Sequence, residues 1–175
     1  MGNIEFLDVD EEEDFRFLEV PIHPSVIQLA QYWEAKREGK TMPDRADISP
    51  TDIVELLPNF VLYEATDHGR DYRVRIFGTA LVDLVGEERT GMLLSQFGSD
   101  CSPPTRAMSV RKRWLDSTQA AVETCRPAFV TGRMSSSQRS YITWHGVSCP
   151  LTNKASDGRN DIRQIMGIMV TDRPS

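Results

Sequence analysis

The last apolar stretch, "DIRQIMGIMVTD" (161–172), restricts the fold more than any other part of the sequence. Read as a strand, it turns Ile162, Met166, Ile168 and Val170 to one side and Ile165 and Met169 to the other, around Gly167. Alternate residues of a strand face opposite sides of its sheet, so apolar side chains on both sides require cover on both sides. The segment is therefore expected in mid-sheet, between two helical layers. The cover on the outer face is expected from a helix carrying Trp33, either of the same chain or of a second subunit.

Other segments supply the layers. "HPSVIQLAQYWEAKREGK" (23–40) places Val26, Ala30, Trp33 and Arg37 at helical spacing, flanked by Ile27 and Leu29, with Pro24 suited to the first turn and Gly39 to the end. "TMPDRAD" reads as an extended linker, and "ISPTDIVELLP" as a helix with Ser49 as N-cap, Pro50 in its first turn and Pro58 as its stop. "NFVLYEA" (59–65) and "DYRVRIF" (71–77) are strands joined by the turn residues "TDHGR". At Gly78 the alternation of Tyr72, Val74 and Ile76 gives way to a two-turn helix, "TALVDLV" (79–85). One helical turn is expected near Leu93–Phe97, and the longest helix spans 105–126. Segments 127–135, 140–151 and 161–172 complete five strands. The order predicts an α+β fold: a five-stranded antiparallel sheet with helices on one face and the N-terminal helix on or near the other.

At 175 residues the chain suits one domain with appended segments: an acidic arm (1–22), a helical segment (23–58) and the domain proper (59–172). Net charge is −6, yet residues 1–20 hold eight acidic groups against Arg16 alone, so the remainder is nearly neutral. The arm interleaves Ile4, Phe6, Leu7, Phe15, Phe17 and Leu18 with its carboxylates. Such a segment either docks on the body or a partner, or frays. An acidic chain without a basic run is a poor nucleic-acid ligand, because binding there rests on phosphate neutralisation. No run approaches the roughly 18 apolar residues needed to span a bilayer, and the acidic start is unlike a signal peptide. Cys101, Cys125 and Cys149 form no metal-ligand spacing, so the expected setting is the reducing cytoplasm, with no membrane, no nucleic acid and no metal.

The chain resembles a PAS domain, and more narrowly a family of short, stand-alone bacterial PAS-type proteins whose motifs do not specify a ligand. The resemblance is carried by "YWEAKREGKTMPDRADISPTDIVELLPNFVLYE" (32–64), "YRVRIFGTALVDLVGEERTG" (72–91) and "CPLTNKASDGRNDIRQIMGIMV" (149–170). Within them stand Trp33, Pro43-x-Arg45, the Ser-Pro helix, Leu57-Pro58 and Gly78-Thr79. It implies the sheet order 2-1-5-4-3, which also centres the last strand. It implies further that the switch at Gly78–Thr79 begins the helical wall of a ligand pocket, and that the module senses a small molecule or a partner. The end at "TDRPS", right after the last strand, fits a stand-alone unit. A flavin-adduct cysteine in its helix motif and a haem-binding histidine on the long helix are both missing from the pattern, leaving His145 on a strand as a weak axial candidate; the cofactor is unknown.

On the long helix Ala107, Val110, Trp114, Thr118, Ala121, Val122 and Cys125 share one face, and Arg111 falls inside that stripe. A core-facing arginine must pair or snorkel. One reading has Arg111, Trp114, Thr118 and Thr79 line a site for an anionic or apolar small molecule. The structural alternative is an ion pair between Arg111 and Asp83 or Glu87, or a place at the rim. Arg73 and Arg75 are expected either to pair with Glu34, Glu38 or the arm, or to be solvated. No phosphate loop, nucleophile elbow or metal constellation marks an enzyme. Two functions remain open: a non-catalytic sensor that signals through a protein partner, and a ligand-free dimerisation or interaction module. The second would use Trp33, Ile27, Tyr72 and Arg75 as contact residues, in a homodimer or with another protein.

Overall fold

A computed structural model describes residues 15–97, 104–133, 142–154 and 162–172, with side chains of the long helix from Arg111 onward. The acidic run 5–14, Cys101, Tyr141 and the side chains of Ala107 and Val110 lie outside the described residues.

The strands are β1 (Arg16–Leu18), β2 (Phe60–Thr66), β3 (Asp71–Phe77), β4 (Ala128–Arg133), β5 (Thr143–Thr152) and β6 (Ile162–Thr171). The helices are α1 (Pro24–Arg37), α2 (Thr79–Val85) and α3 (Pro104–Thr124). All pairings are antiparallel, in the order β1-β4-β5-β6-β2-β3. The expected count of five is corrected to six. Arg16, Phe17 and Leu18 of the arm pair with Thr131, Val130 and Phe129 at the edge of β4. The full order differs from 2-1-5-4-3 by that added edge. Phe15 anchors the new strand, its ring centroid 6.0 Å from that of Trp144. Three residues among carboxylates are too few to show an alternation, which is why this strand left no readable pattern.

β6 lies between β5 and β2. Met166, Ile168 and Val170 join one buried cluster with Val26, Leu29 and Trp33 of α1, while Ile165 and Met169 join another with Leu81, Leu84, Leu94 and Phe97. The first cluster is the α1 side and the second the α2/α3 side. Gly167 is required in the middle of β6 by close approach, since a Cβ there would come 2.3 Å from the Val147 carbonyl oxygen.

α1 starts with His23, whose Nδ1 accepts from Ser25 N–H at 3.2 Å, and ends at Glu38 in the left-handed region, one residue before Gly39. Its buried stripe is Val26, Leu29 and Trp33; Ala30 is only half-buried. The Trp33 indole donates to the Pro150 carbonyl at 2.8 Å. That bond explains a proline in an interior strand: β4 pairs with β5 only as far as Ser148, so beyond it Pro150 has no ladder donor to supply and its carbonyl is free for Trp33.

The linker after α1 is fastened to β5. Asp44 accepts from Thr152 Oγ1 and Lys154 N–H, both at 2.9 Å, and Thr152 N–H donates to Pro43 O at 3.1 Å. Burial disfavours the Asp44 charge, but the bonds from Lys154, Ala46 and Thr152 outweigh it and hold its pKa below the ordinary value.

The expected α-helix after Ser49 is instead a 3-10 segment, Pro50–Asn59, kinked at Ile53 (φ −129°, ψ 30°). Ser49 caps no backbone N–H; its hydroxyl meets Thr51 Oγ1 at 2.7 Å. Pro58 lies inside the segment, where its missing N–H and the β-branched Ile53 and Val54 work against α-helical bonding. The chain then enters β2, whose Phe60 carbonyl accepts from Gly78 N–H at 2.8 Å, tying the start of β2 to the β3–α2 switch.

Candidate functional site

The space between the sheet and α2/α3 is built on odd-numbered positions of β2. Val61 and Tyr63 point into it, opposite Trp114 of α3, with Leu94 and Phe97 closing one side. The Tyr63 and Trp114 rings meet edge-on at 6.1 Å, and Trp114 meets Phe97 edge-on at 5.3 Å. Above Phe97, at 4.4 Å from its ring centroid, sits the guanidinium of Arg89.

Arg89 is only 6% exposed. Its Nε lies 3.4 Å from Glu87 Oε2, an ion pair without hydrogen-bond geometry, and that nitrogen has no hydrogen-bond partner. The hydroxyl of the fully buried Tyr63 has none either. Burial raises the Tyr63 pKa well above its ordinary value, with the charge of nearby Arg89 acting the other way, so the phenol keeps its proton. Burying an unbonded hydroxyl costs about 1–3 kcal/mol. These are two of four buried side-chain polar atoms without a hydrogen-bond partner among the described residues, the others being His145 Nδ1 and Gln164 Oε1. A hollow of about 40 Å³ adjoins Tyr63 and Trp114, with Ser117 and Ser148 on its wall. Their hydroxyls meet at 2.9 Å.

Trp114 is in this cluster. Thr118 is fully buried beneath it, but its hydroxyl donates to its own helix, at Trp114 O (2.8 Å). Arg111 is half-buried and donates from Nε to the Phe97 carbonyl at 2.9 Å, in place of the ion pair with Asp83 or Glu87 that the sequence left open. Thr79 is exposed on the first turn of α2 and stands apart. Because Arg111 holds the backbone of the residue that carries Arg89, Arg111→Met is expected to lower unfolding free energy by about 1–3 kcal/mol. Urea titration followed by circular dichroism checks this, and an unchanged midpoint would mean that the bond contributes nothing.

Of the surface candidates, Trp33 and Tyr72 are buried within the chain, Ile27 is half-buried, and Arg75 is exposed. Arg75 pairs with Glu64 at 2.9 Å, and Arg73 donates to the Gly91 carbonyl at 2.7 Å. Neither reaches Glu34 or Glu38, because β3 is the edge strand beside β2 whereas α1 lies over β5 and β6. His145 turns toward His23, with ring centroids 5.4 Å apart, and its Nε2 meets Asp172 Oδ2 at 2.9 Å. It thus faces the α1 side, away from Trp114. Burial pushes the Cys149 thiol far up, which keeps it protonated and unreactive. Among the described residues no group of three His, Cys, Asp or Glu could hold a metal ion, and no helix is long and apolar enough to cross a membrane.

The residues that sequence reasoning missed are Tyr63, Arg89 and Phe97. Tyr63 shares a strand face with Val61, a signal that was available. Arg89 lies in "GEERTG", an irregular stretch where no periodicity tells which way a side chain points.

A second, larger hollow of about 250 Å³ lies on the α1 side, lined by Ile48, Ile53, Leu57, Phe60, Leu62, Leu151 and Met166. It reaches the surface at Ile76, which is 40% exposed.

A family model described as a PAS domain matches residues 22–169. No curated protein matches the chain significantly.

Proposed function

The chain belongs to the PAS-domain family, and on that premise we propose that it is a non-catalytic cytosolic sensor that takes a small molecule between the sheet and α2/α3. As a PAS domain it is a sensory or interaction module. The observation that carries the sensory reading is that two of the four buried polar atoms without a hydrogen-bond partner, Tyr63 Oη and Arg89 Nε, lie on the α2/α3 side of the sheet. A core kept only for packing gains nothing from them, whereas a ligand with matching acceptors recovers their desolvation cost. The signal would leave through a protein partner, with a homodimer as the working form.

Native mass spectrometry of freshly purified full-length chain tests this. The expected result is a mass excess of small-molecule size that is lost on unfolding. Bare chain mass, together with no response of the Trp114 indole resonance to a metabolite panel, would overturn it.

The 250 Å³ hollow favours a second reading, a protein-interaction module that receives apolar side chains beside Ile76. That reading gains if the same spectra show the chain only as a dimer or complex without small-molecule mass.

A further inference from the structure

The hollow of about 250 Å³ on the α1 side has a floor in register and a braced roof. Met166 of β6, Leu62 of β2 and Ile76 of β3 are direct cross-strand partners, so they form one apolar row across three strands. The roof is the 3-10 segment Pro50–Asn59, which brings Ile53 and Leu57 to the lining. Its start is held to α1: the Tyr32 hydroxyl accepts from Ser49 N–H at 2.9 Å and donates to Asp52 Oδ2 at 3.0 Å, and Lys36 pairs with Asp52 at 3.0 Å. Its end is held to β6, where Asn59 Nδ2 donates to the Met169 carbonyl at 2.9 Å. Braced at both ends, the roof is kept from closing on the row below, although an empty space forfeits the dispersion contacts of its lining. Such a space is preorganised for an apolar guest.

One charge stands on this lining. Arg45 is half-buried there, and its Nη1 donates to the Ile48 carbonyl at 3.1 Å. Among the described residues it has no carboxylate partner. The two acidic neighbours in sequence are engaged elsewhere. Asp44 accepts from Thr152 and Lys154, while Asp47 pairs with Lys40 at 2.6 Å and accepts from Asp44 N–H at 2.8 Å. With Nη1 spent on Ile48, Arg45 keeps its Nε–Nη2 edge, a pair of parallel donors that matches the two oxygens of a carboxylate.

Size and chemistry define the guest. The volume of about 250 Å³ compares with roughly 150 Å³ for a cavity that accepts benzene, which leaves room for about six to ten carbons. Apart from Arg45 the lining side chains are hydrocarbon or thioether, so a second polar group on the guest would be buried without a partner. A partner protein's side chains are the competing occupant. Yet a stable interface buries about 800 Å² on each side, and of the apolar lining only Pro50 and Ile76 are exposed.

We propose that this hollow takes a medium-chain aliphatic monocarboxylate of about six to ten carbons, its chain over Leu62, Met166 and Ile76 and its carboxylate on Arg45. The site lies across β6 from Trp114 and does not depend on whether the α2/α3 side takes a ligand.

The test is a titration of delipidated full chain, ¹³C-labelled at its Met, Ile and Leu methyls, with sodium octanoate below its micelle concentration. Octanol is the uncharged analogue and sodium acetate the chainless one. Octanoate is expected to give saturable shifts at Met166, Leu62 and Ile76 with the Trp114 indole resonance unmoved. Acetate is expected to give none, and octanol to bind about tenfold more weakly or less tightly still. Arg45→Gln is expected to bring octanoate down to the affinity of octanol while leaving octanol unchanged. If that variant fails to fold, Ile76→Glu, at an exposed position, sets a negative charge at the opening and is expected to weaken octanoate about tenfold, more than it weakens octanol. Equal binding of octanoate and octanol, the same shifts with acetate, no saturation, or octanoate binding intact in either variant would each overturn the proposal. Octanoate shifts confined to Trp114 would also overturn it while leaving the sensory reading of the α2/α3 side standing.

Discussion

Trp33→Ala is expected to cost about 3–5 kcal/mol of unfolding free energy, the largest loss of any single side chain considered. Trp33 is 1% exposed and lies in the α1-side cluster with Cys149, Leu151 and Met166. Truncation removes the main contact of α1 with the sheet and leaves the Pro150 carbonyl without its indole donor. Against a total of about 5–15 kcal/mol for an ordinary domain, much of the folded population is at stake. Trp33→Phe separates the two contributions, because it keeps most of the apolar area and loses only the donor. Its expected cost is about 1–3 kcal/mol. Urea melts read by far-ultraviolet circular dichroism measure both variants. A loss below about 1 kcal/mol for the alanine variant would show that α1 adds little to the sheet.

Gly78→Ala is expected to be nearly as damaging, for a different reason. The backbone of Gly78 (φ −63°, ψ 152°) suits any residue, so no conformational strain is involved. The obstacle is space: a Cβ would lie 2.2 Å from Pro58 O, 2.6 Å from Pro58 C and 2.7 Å from Leu57 O. All three are backbone atoms, held by the 3-10 segment and by the bond from Gly78 N–H to Phe60 O. Relief requires the β3–α2 switch to part from the start of β2, with an expected cost of about 3 kcal/mol or more. Gly86→Ala is the control. Gly86 has a positive φ of 80°, yet nothing lies within 4 Å of a Cβ there, so its cost is expected to stay near 1 kcal/mol. If the two variants melt together, the close approach at Gly78 is not what that glycine serves.

These two positions also show what the sequence made legible. The two-sided burial of β6 could be read because parity alone assigns a strand residue to a face, and Met166, Ile168 and Val170 carry that parity without interruption. The end of β3 and start of α2 were readable because Gly78 separates two clear periodicities. Where no period exists, direction is lost: nothing local to "GEERTG" tells that Arg89 turns inward over Phe97 while Glu87 and Glu88 stay outside. Arg111 was readable as core-facing from its helix stripe. Its partner was not, because the Phe97 carbonyl follows the 3-10 turn Leu94–Gln96, whose placement depends on the packed fold. Ser49-Pro50 misled for a related reason. It is a good helix start by composition, but Pro58 and the tie to β2 force the tighter 3-10 winding.

Pairing of Arg16–Leu18 with β4 has a practical consequence. The opposite border of the sheet is already screened where Gly91 and Met92 bond to Val74 of β3, so β1 does the same service on the far side. A fragment cut to the family match, residues 22–169, would bare a row of amide and carbonyl groups along β4. Unsatisfied rims of that kind recruit strands from other molecules. β1 thus covers that border of β4 as well as extending the sheet.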